Sequence, residues 1–178
     1  ILVSLGGSQT LNGGAGNDYL VSAPHVIGST GGTGDDVFNG GDGIDTLELI
    51  AGEDLFEGSV TQYVVDLGNG TGAVIGDFSS TITLSGIENV DGSDVDDLIV
   101  GDANANYLQG NGGNDTIRGG AGDDTLSGSE WNQNGEIDTV SYIDSTAGVV
   151  LNLGPNSLAE GTYGGIYTAG IGGGQAQD

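Results

Sequence analysis

Glycines and large apolar residues return along this chain every nine positions, and that period constrains the fold more than any single residue does. From Gly119 the frame reads Gly119-Gly120-Ala121-Gly122-Asp123-Asp124-Thr125-Leu126-Ser127. One step back is Gly110-Asn111-Gly112-Gly113-Asn114-Asp115-Thr116-Ile117-Arg118, preceded by Gly101 to Gln109 and Gly92 to Val100. The sixth places hold Asp97, Asn106, Asp115 and Asp124, and the eighth places Ile99, Leu108, Ile117 and Leu126. An earlier group has the same form: Gly13 to Val21 with Asp18 and Leu20, Gly31 to Asn39 with Asp36 and Phe38, Gly40 to Glu48 with Asp45 and Leu47. Ser4 to Asn12 is a degenerate unit with Gln9 and Leu11. Ser22 to Thr30 lacks the acid, with Ile27 at the sixth place, but it is nine residues long and is expected to preserve register.

Each unit divides its work. The first six residues are turn material, in which glycine takes positive φ without a side-chain penalty. The last three alternate around one large apolar residue, which reads as a three-residue strand with its central side chain inward. Leu20, Phe38, Leu47, Ile99, Leu108, Ile117 and Leu126 then stack as a core. Strands this short bury a continuous core only when several repeats adjoin.

Charge narrows the partners. The chain has 26 acidic residues against one basic residue, Arg118, and a formal net charge of −25. Such a surface repels itself, disfavours nucleic acid and anionic membranes, and favours cations; calcium takes carboxylate and carbonyl oxygens. Without cysteine there is no disulfide framework and no thiolate metal site. No apolar run approaches the length of a transmembrane segment. The chain begins in mid-pattern with Ile1-Leu2-Val3, without a starting methionine or signal peptide, and is read as a fragment of a larger protein or a mature product.

The pattern glycine-glycine-x-glycine-x-aspartate-x-large-x, best matched by Gly119 to Leu126 and Gly13 to Leu20, resembles the RTX family of secreted calcium-binding nonapeptide repeats. That resemblance implies an all-β fold: a parallel β-roll (β-solenoid) of stacked nonapeptide repeats, two to a coil. It implies several bound Ca2+ ions and a secreted or extracellular location, the cell surface included. With two units per coil, loops 18 residues apart stack on one edge, which pairs Asp18 with Asp36, Asp97 with Asp115, and Asn106 with Asp124. Each pair is expected to hold an ion, helped by backbone carbonyls of the glycine turns at Gly13, Gly31, Gly101, Gly110 and Gly119. Asp45 would pair back to Ile27, so its site is expected to be missing or rebuilt. A single aspartate here also reads as a solvated turn residue, but the matched set points to ligands. Asn17, Asp35, Asp96, Asn114 and Asp123 at the fifth place are expected to be outer decoration.

Residues 1–48 thus form a first repeat group and 92–127 a second. Residues 49–91 break the register and form a non-repeat β segment between the two groups, continuing or capping the roll. Its strand-like runs are Gln62 to Leu67, Gly72 to Ile75 and Thr81 to Leu84, with a turn at Asn69-Gly70. Residues 128–178 start a further block: Asp138-Thr139-Val140 echoes Asp45-Thr46-Leu47, and Val150 to Gly154 echoes Val64 to Gly68. The glycine-rich end from Gly170 is expected to fray.

No catalytic constellation appears. His25 is the single histidine, lysine is absent, and no nucleophile elbow or phosphate loop occurs. Trp131 reads as a loop aromatic over the roll edge, with a sugar or partner contact as the alternative. The expected function is a non-catalytic calcium-binding structural and secretion-coupled folding module, monomeric by itself and flanked by neighbouring repeat blocks. The alternatives are the repeat region of a secreted enzyme whose catalytic domain lies outside this chain, and an adhesin or surface-layer module.

Overall fold

The computed structural model describes residues 1–4, 7–23, 34–51, 60–77, 79–128 and 136–141, and the backbone of 166–168. The strands are β1 Leu2–Ser4, β2 Thr10–Ala15, β3 Tyr19–Ser22, β4 Asp36–Asp42, β5 Thr46–Leu49, β6 Val60–Asp66, β7 Thr71–Gly76 and β8 Ser80–Ser85. They continue with β9 Asn89–Asp91, β10 Asp96–Val100, β11 Tyr107–Gln109, β12 Thr116–Arg118, β13 Thr125–Ser127, β14 Thr139–Ser141 and β15 Ile166–Thr168. The chain winds between two sheets. One has the order β1-β3-β5-β9-β11-β13 and the other β15-β14-β12-β10-β6-β7-β8-β4-β2. All described pairings are parallel except β6 with β7 and β7 with β8. This is an all-β roll of stacked coils.

The eighth-place residues meet in register. Leu2, Leu20, Leu47, Val90, Leu108 and Leu126 form one inward row. Ile99, Ile117 and Val140 continue the row that faces it, beside Val65. Leu20, Phe38, Leu47, Val90, Ile99, Leu108 and Ile117 are all fully buried. The cluster they form is the core, and Leu126 packs against its end.

Register in the first group departs from the 18-residue step. Leu11 pairs with Phe38 and Leu20 with Leu47, each 27 residues apart. The coil between them therefore contains one unit more than two, and the strands on either side of residues 24–33 pair across that longer step. A preserved nine-residue count kept the sequence period but not the two-unit coil. Ile27 and Gly31 fall outside the described residues.

The non-repeat segment lies in the same two sheets. A regular coil would place one strand between β4 and β10, but the meander β6-β7-β8 fills that position with three. Because β6 runs parallel to β10 and β8 parallel to β4, the antiparallel β7 between them leaves the direction of winding unchanged. Two extra strands widen this face by about 10 Å at ordinary strand spacing. Tyr63, Val65, Val74, Ile82 and Leu84 carry the core across the wider face.

The turns use two devices. In units 13–21, 40–48 and 119–127 the second and fourth places are left-handed glycines, and in unit 110–118 Asn111 takes the second place at φ 73°. In units 92–100 and 101–109 side chains close the turn instead. Asp97 Oδ2 accepts the Ser93 amide at 2.7 Å, and Asn106 Oδ1 accepts the Asp102 amide at 2.9 Å.

Candidate metal centres along the turn edges

Sixth-place side chains bind each coil to the one before it. On one edge Asp45 Oδ1 accepts the Asp18 amide at 2.7 Å, Glu88 Oε2 the Asp45 amide at 2.8 Å, and Asp124 Oδ1 the Asn106 amide at 3.1 Å. On the other edge Asp36 Oδ1 accepts the Gln9 amide at 2.8 Å and Asp97 Oδ1 the Tyr63 amide at 3.2 Å. There Asp115 Oδ1 accepts the Asp97 amide at 2.8 Å, and Asp138 Oδ1 the Asp115 amide at 3.1 Å. The acceptor always sits in the later coil. One oxygen of each carboxyl is thereby fixed, and the direction of the other follows.

The second oxygens turn toward the first-place glycine of their own unit. A β-carbon on Gly110 would overlap Asp115 Oδ2 and stand 2.7 Å from the Gly128 carbonyl oxygen. One on Gly13 would stand 2.6 Å from the Gly40 carbonyl oxygen and 2.8 Å from Asp18 Oδ2. Gly101 likewise faces the Gly119 carbonyl and Asn106 Oδ1, and Gly119 faces Asp124 Oδ2. The first place is glycine because a carboxylate oxygen of its own coil and, along most of the stack, a carbonyl oxygen of the next coil occupy the space a side chain would need. Asp18 Oδ2, Asp45 Oδ2 and Asp115 Oδ2 are buried without a hydrogen-bond partner. Oxygens brought together and left unpaired are what a hard cation supplies a partner to.

Burial and mutual repulsion disfavour the charged form of these carboxyls. Burial, against the pull of the Asp97 amide, pushes the Asp115 carboxyl up to about 8, and the facing charges of Asp97 and Asp138 add to the rise. Burial raises Asp97 to about 6, although hydrogen bonds from Ser93 and Tyr63 favour its charged form. Asp124 and Asp138 are raised by burial as well. Among the described residues no three acidic or imidazole side chains converge on one point. Any cation held here therefore takes much of its shell from backbone carbonyls.

The structure brings together Asp97 with Asp115 and Asn106 with Asp124 at the 18-residue step. It does not bring Asp18 to Asp36. The 27-residue coil places Asp18 against Asp45, and Asp36 against Gln9 with its Oδ2 accepting from Ser4 Oγ at 2.7 Å. Asp45 accordingly faces Asp18, and its Oδ2, like that of Asp115, lies near a backbone carbonyl oxygen of a later coil. Four of the five fifth-place residues, all on the exposed side, also bridge coils. Asn17, Asp96 and Asn114 accept amides of Ile44, Asn114 and Ile137, and Asp35 accepts the Thr81 amide, in a second ladder of opposite direction.

Sequence reasoning missed two edge residues. Glu88 occupies the sixth place two residues before the inward Val90, a signal hidden by the missing glycines. Asp138 serves Gly128 as Asp115 serves Gly110, but five extra residues separate the two, and Asp138-Thr139-Val140 was the available clue. His25 and Trp131 lie outside the described residues.

A family model described as the RTX calcium-binding nonapeptide repeat matches in four copies, over residues 3–22, 30–59 and 91–126. No curated protein matches the chain.

Proposed function

The chain belongs to the RTX calcium-binding nonapeptide repeat family, a structural and non-catalytic calcium-binding module, and on that premise we propose where its ions sit and what they do. Calcium binds between successive coils on both turn edges. Asp18, Asp45, Asp97, Asn106, Asp115 and Asp124 line those positions, with carbonyl oxygens around Gly13, Gly101, Gly110 and Gly119 completing the shells. Asp36 and Asp97 contribute less than the others, since both oxygens of each already accept hydrogen bonds. The observation that carries this reading is the unpartnered, buried Asp115 Oδ2 beside the Gly128 carbonyl, repeated at Asp18 beside Gly40.

Ions so placed tie consecutive coils together and cancel the repulsion among stacked acids. An unfolded chain has no such cage, so binding free energy becomes folding free energy. The module then stays unfolded where calcium is scarce and folds outside the cell, as a secretion-coupled part of a larger extracellular protein. Membership of the repeat family accords with that location. Among the described residues no helix is long and apolar enough to cross a membrane. Isothermal titration of chelator-treated protein tests the assignment. Several calcium ions should bind, and magnesium, which demands a near-octahedral shell, should not replace them. An absence of calcium binding, or equal binding of magnesium, would refute it.

A further inference from the structure

The chain returning from the meander brings an acid, Glu88, to a buried carboxylate of a repeat just before β9 begins. We infer that a calcium site closes this junction, with Asp45 Oδ2, the Gly86 carbonyl oxygen and Glu88 as its protein ligands. The inference rests on the calcium reading above and extends it beyond the nonapeptides: Gly86 and Glu88 lie outside the residues matched by the repeat model.

Three observations converge on it. Asp45 is fully buried, yet its Oδ2 has no hydrogen-bond partner. A β-carbon on Gly40 would stand 2.5 Å from that oxygen and would overlap the Gly86 carbonyl oxygen, so both oxygens point into the same space. Glu88 is clamped to Asp45 from both directions. Its Oε2 accepts the Asp45 amide at 2.8 Å, while the Asp45 carbonyl accepts the amides of Glu88 at 3.1 Å and Asn89 at 2.9 Å. Gly86, at φ 57°, lets the incoming chain lie against Gly41, whose nitrogen is 2.9 Å from where a β-carbon would be. Two carboxylates and a carbonyl, in an irregular arrangement set by backbone contacts, suit calcium, which accepts variable coordination, better than magnesium.

The position gives the ion a distinct role. Asp45 precedes the chain's departure into the β6-β7-β8 meander and Glu88 follows its return, 43 residues later. A cation shared by the two fastens the ends of that long excursion, where a clip has much closure entropy to offset. It also couples the first repeat group to the second, because the Glu88 carbonyl accepts from Asn106 Nδ2 at 2.8 Å.

The test compares the full chain with its Glu88→Gln variant. Glutamine keeps an oxygen for the Asp45 amide and removes the charge, so a purely structural glutamate predicts no change in ion count. Native mass spectrometry should show one calcium fewer in E88Q, and amide exchange across residues 60–85 should be faster at limiting calcium. An unchanged ion count with unchanged exchange overturns the inference. If E88Q does not fold, anomalous scattering from crystals of the unaltered protein decides. A calcium peak beside Asp45 Oδ2 supports the site, and peaks at Asp115 without one at Asp45 overturn the junction site alone. Calcium at neither position removes the reading on which the site rests.

Discussion

The amide of Asp97 donates a 2.8 Å hydrogen bond to Asp115 Oδ1, while the other oxygen of that carboxyl is buried with no partner. The same group thus fastens two coils and leaves an acceptor facing the next carbonyl. Asp115→Asn keeps an oxygen for the Asp97 amide but discards the charge a cation needs. The variant should lose an ion. With calcium about 100-fold above the dissociation constant of that site, the loss amounts to about 2.7 kcal/mol of stability. Thermal melts with and without calcium check this: the two proteins should differ in calcium and converge in chelator. An equal difference in both conditions would mean that Asp115 acts through hydrogen bonding alone.

The raised carboxyls set opposite pH trends with and without the ion. Folded-state values of about 8 for Asp115 and about 6 for Asp97 lie above the ordinary 3.8. The folded metal-free chain therefore binds protons more tightly than the unfolded one. Their contribution to stability is fully present below about pH 4 and is lost as pH rises through 6 to 8. Calcium needs the same groups ionised, so its apparent affinity should rise over that interval and its binding should release protons. In chelator, any β structure should be confined to acid, greatest near pH 4 and lost by pH 8, while calcium affinity climbs over the same interval. Parallel trends would count against these carboxyls as ligands.

The 27-residue coil makes a prediction about chain length. Leu20 precedes Asp36 by 16 residues, where Leu108 precedes Asp115 by 7. Deleting residues 24–32 restores the shorter spacing and leaves β3 and β5 able to pair as before. The deletion variant should bind as many calcium ions as the parent. If residues 22–30 instead formed a working half-coil, the deletion would exchange the two faces and cost ions.

Much of the fold is visible in the sequence because periodicity and burial coincide. Leu108 and Ile117 are apolar at fixed intervals, and each is the buried centre of a three-residue strand. The Asp97–Asp115 stack follows from the same count. Asp45 resisted it, since the period says which residues are equivalent but not which coil takes a given unit. A nine-residue unit keeps the count whichever coil it joins. Glu88 was hidden for a different reason. A side chain one methylene longer, reached through Gly86 rather than through a glycine-rich turn, performs the sixth-place task without the repeat's composition. The opposing fifth-place ladder of Asn17, Asp96 and Asn114 was hidden because hydrogen-bond direction depends on backbone placement, which composition does not record.

Coupling of this fold to calcium is tested most directly by far-ultraviolet circular dichroism of chelator-treated protein as calcium is added. Each unit buries one large inward side chain but must order nine residues, so apolar burial alone does not hold the coils together. The metal-free chain should therefore lack a β spectrum, which should appear steeply between micromolar and millimolar calcium and not with magnesium. A full β spectrum in excess chelator would contradict the coupling, and would locate the fold's stability in the buried Tyr63, Val65, Val74, Ile82 and Leu84 of the meander.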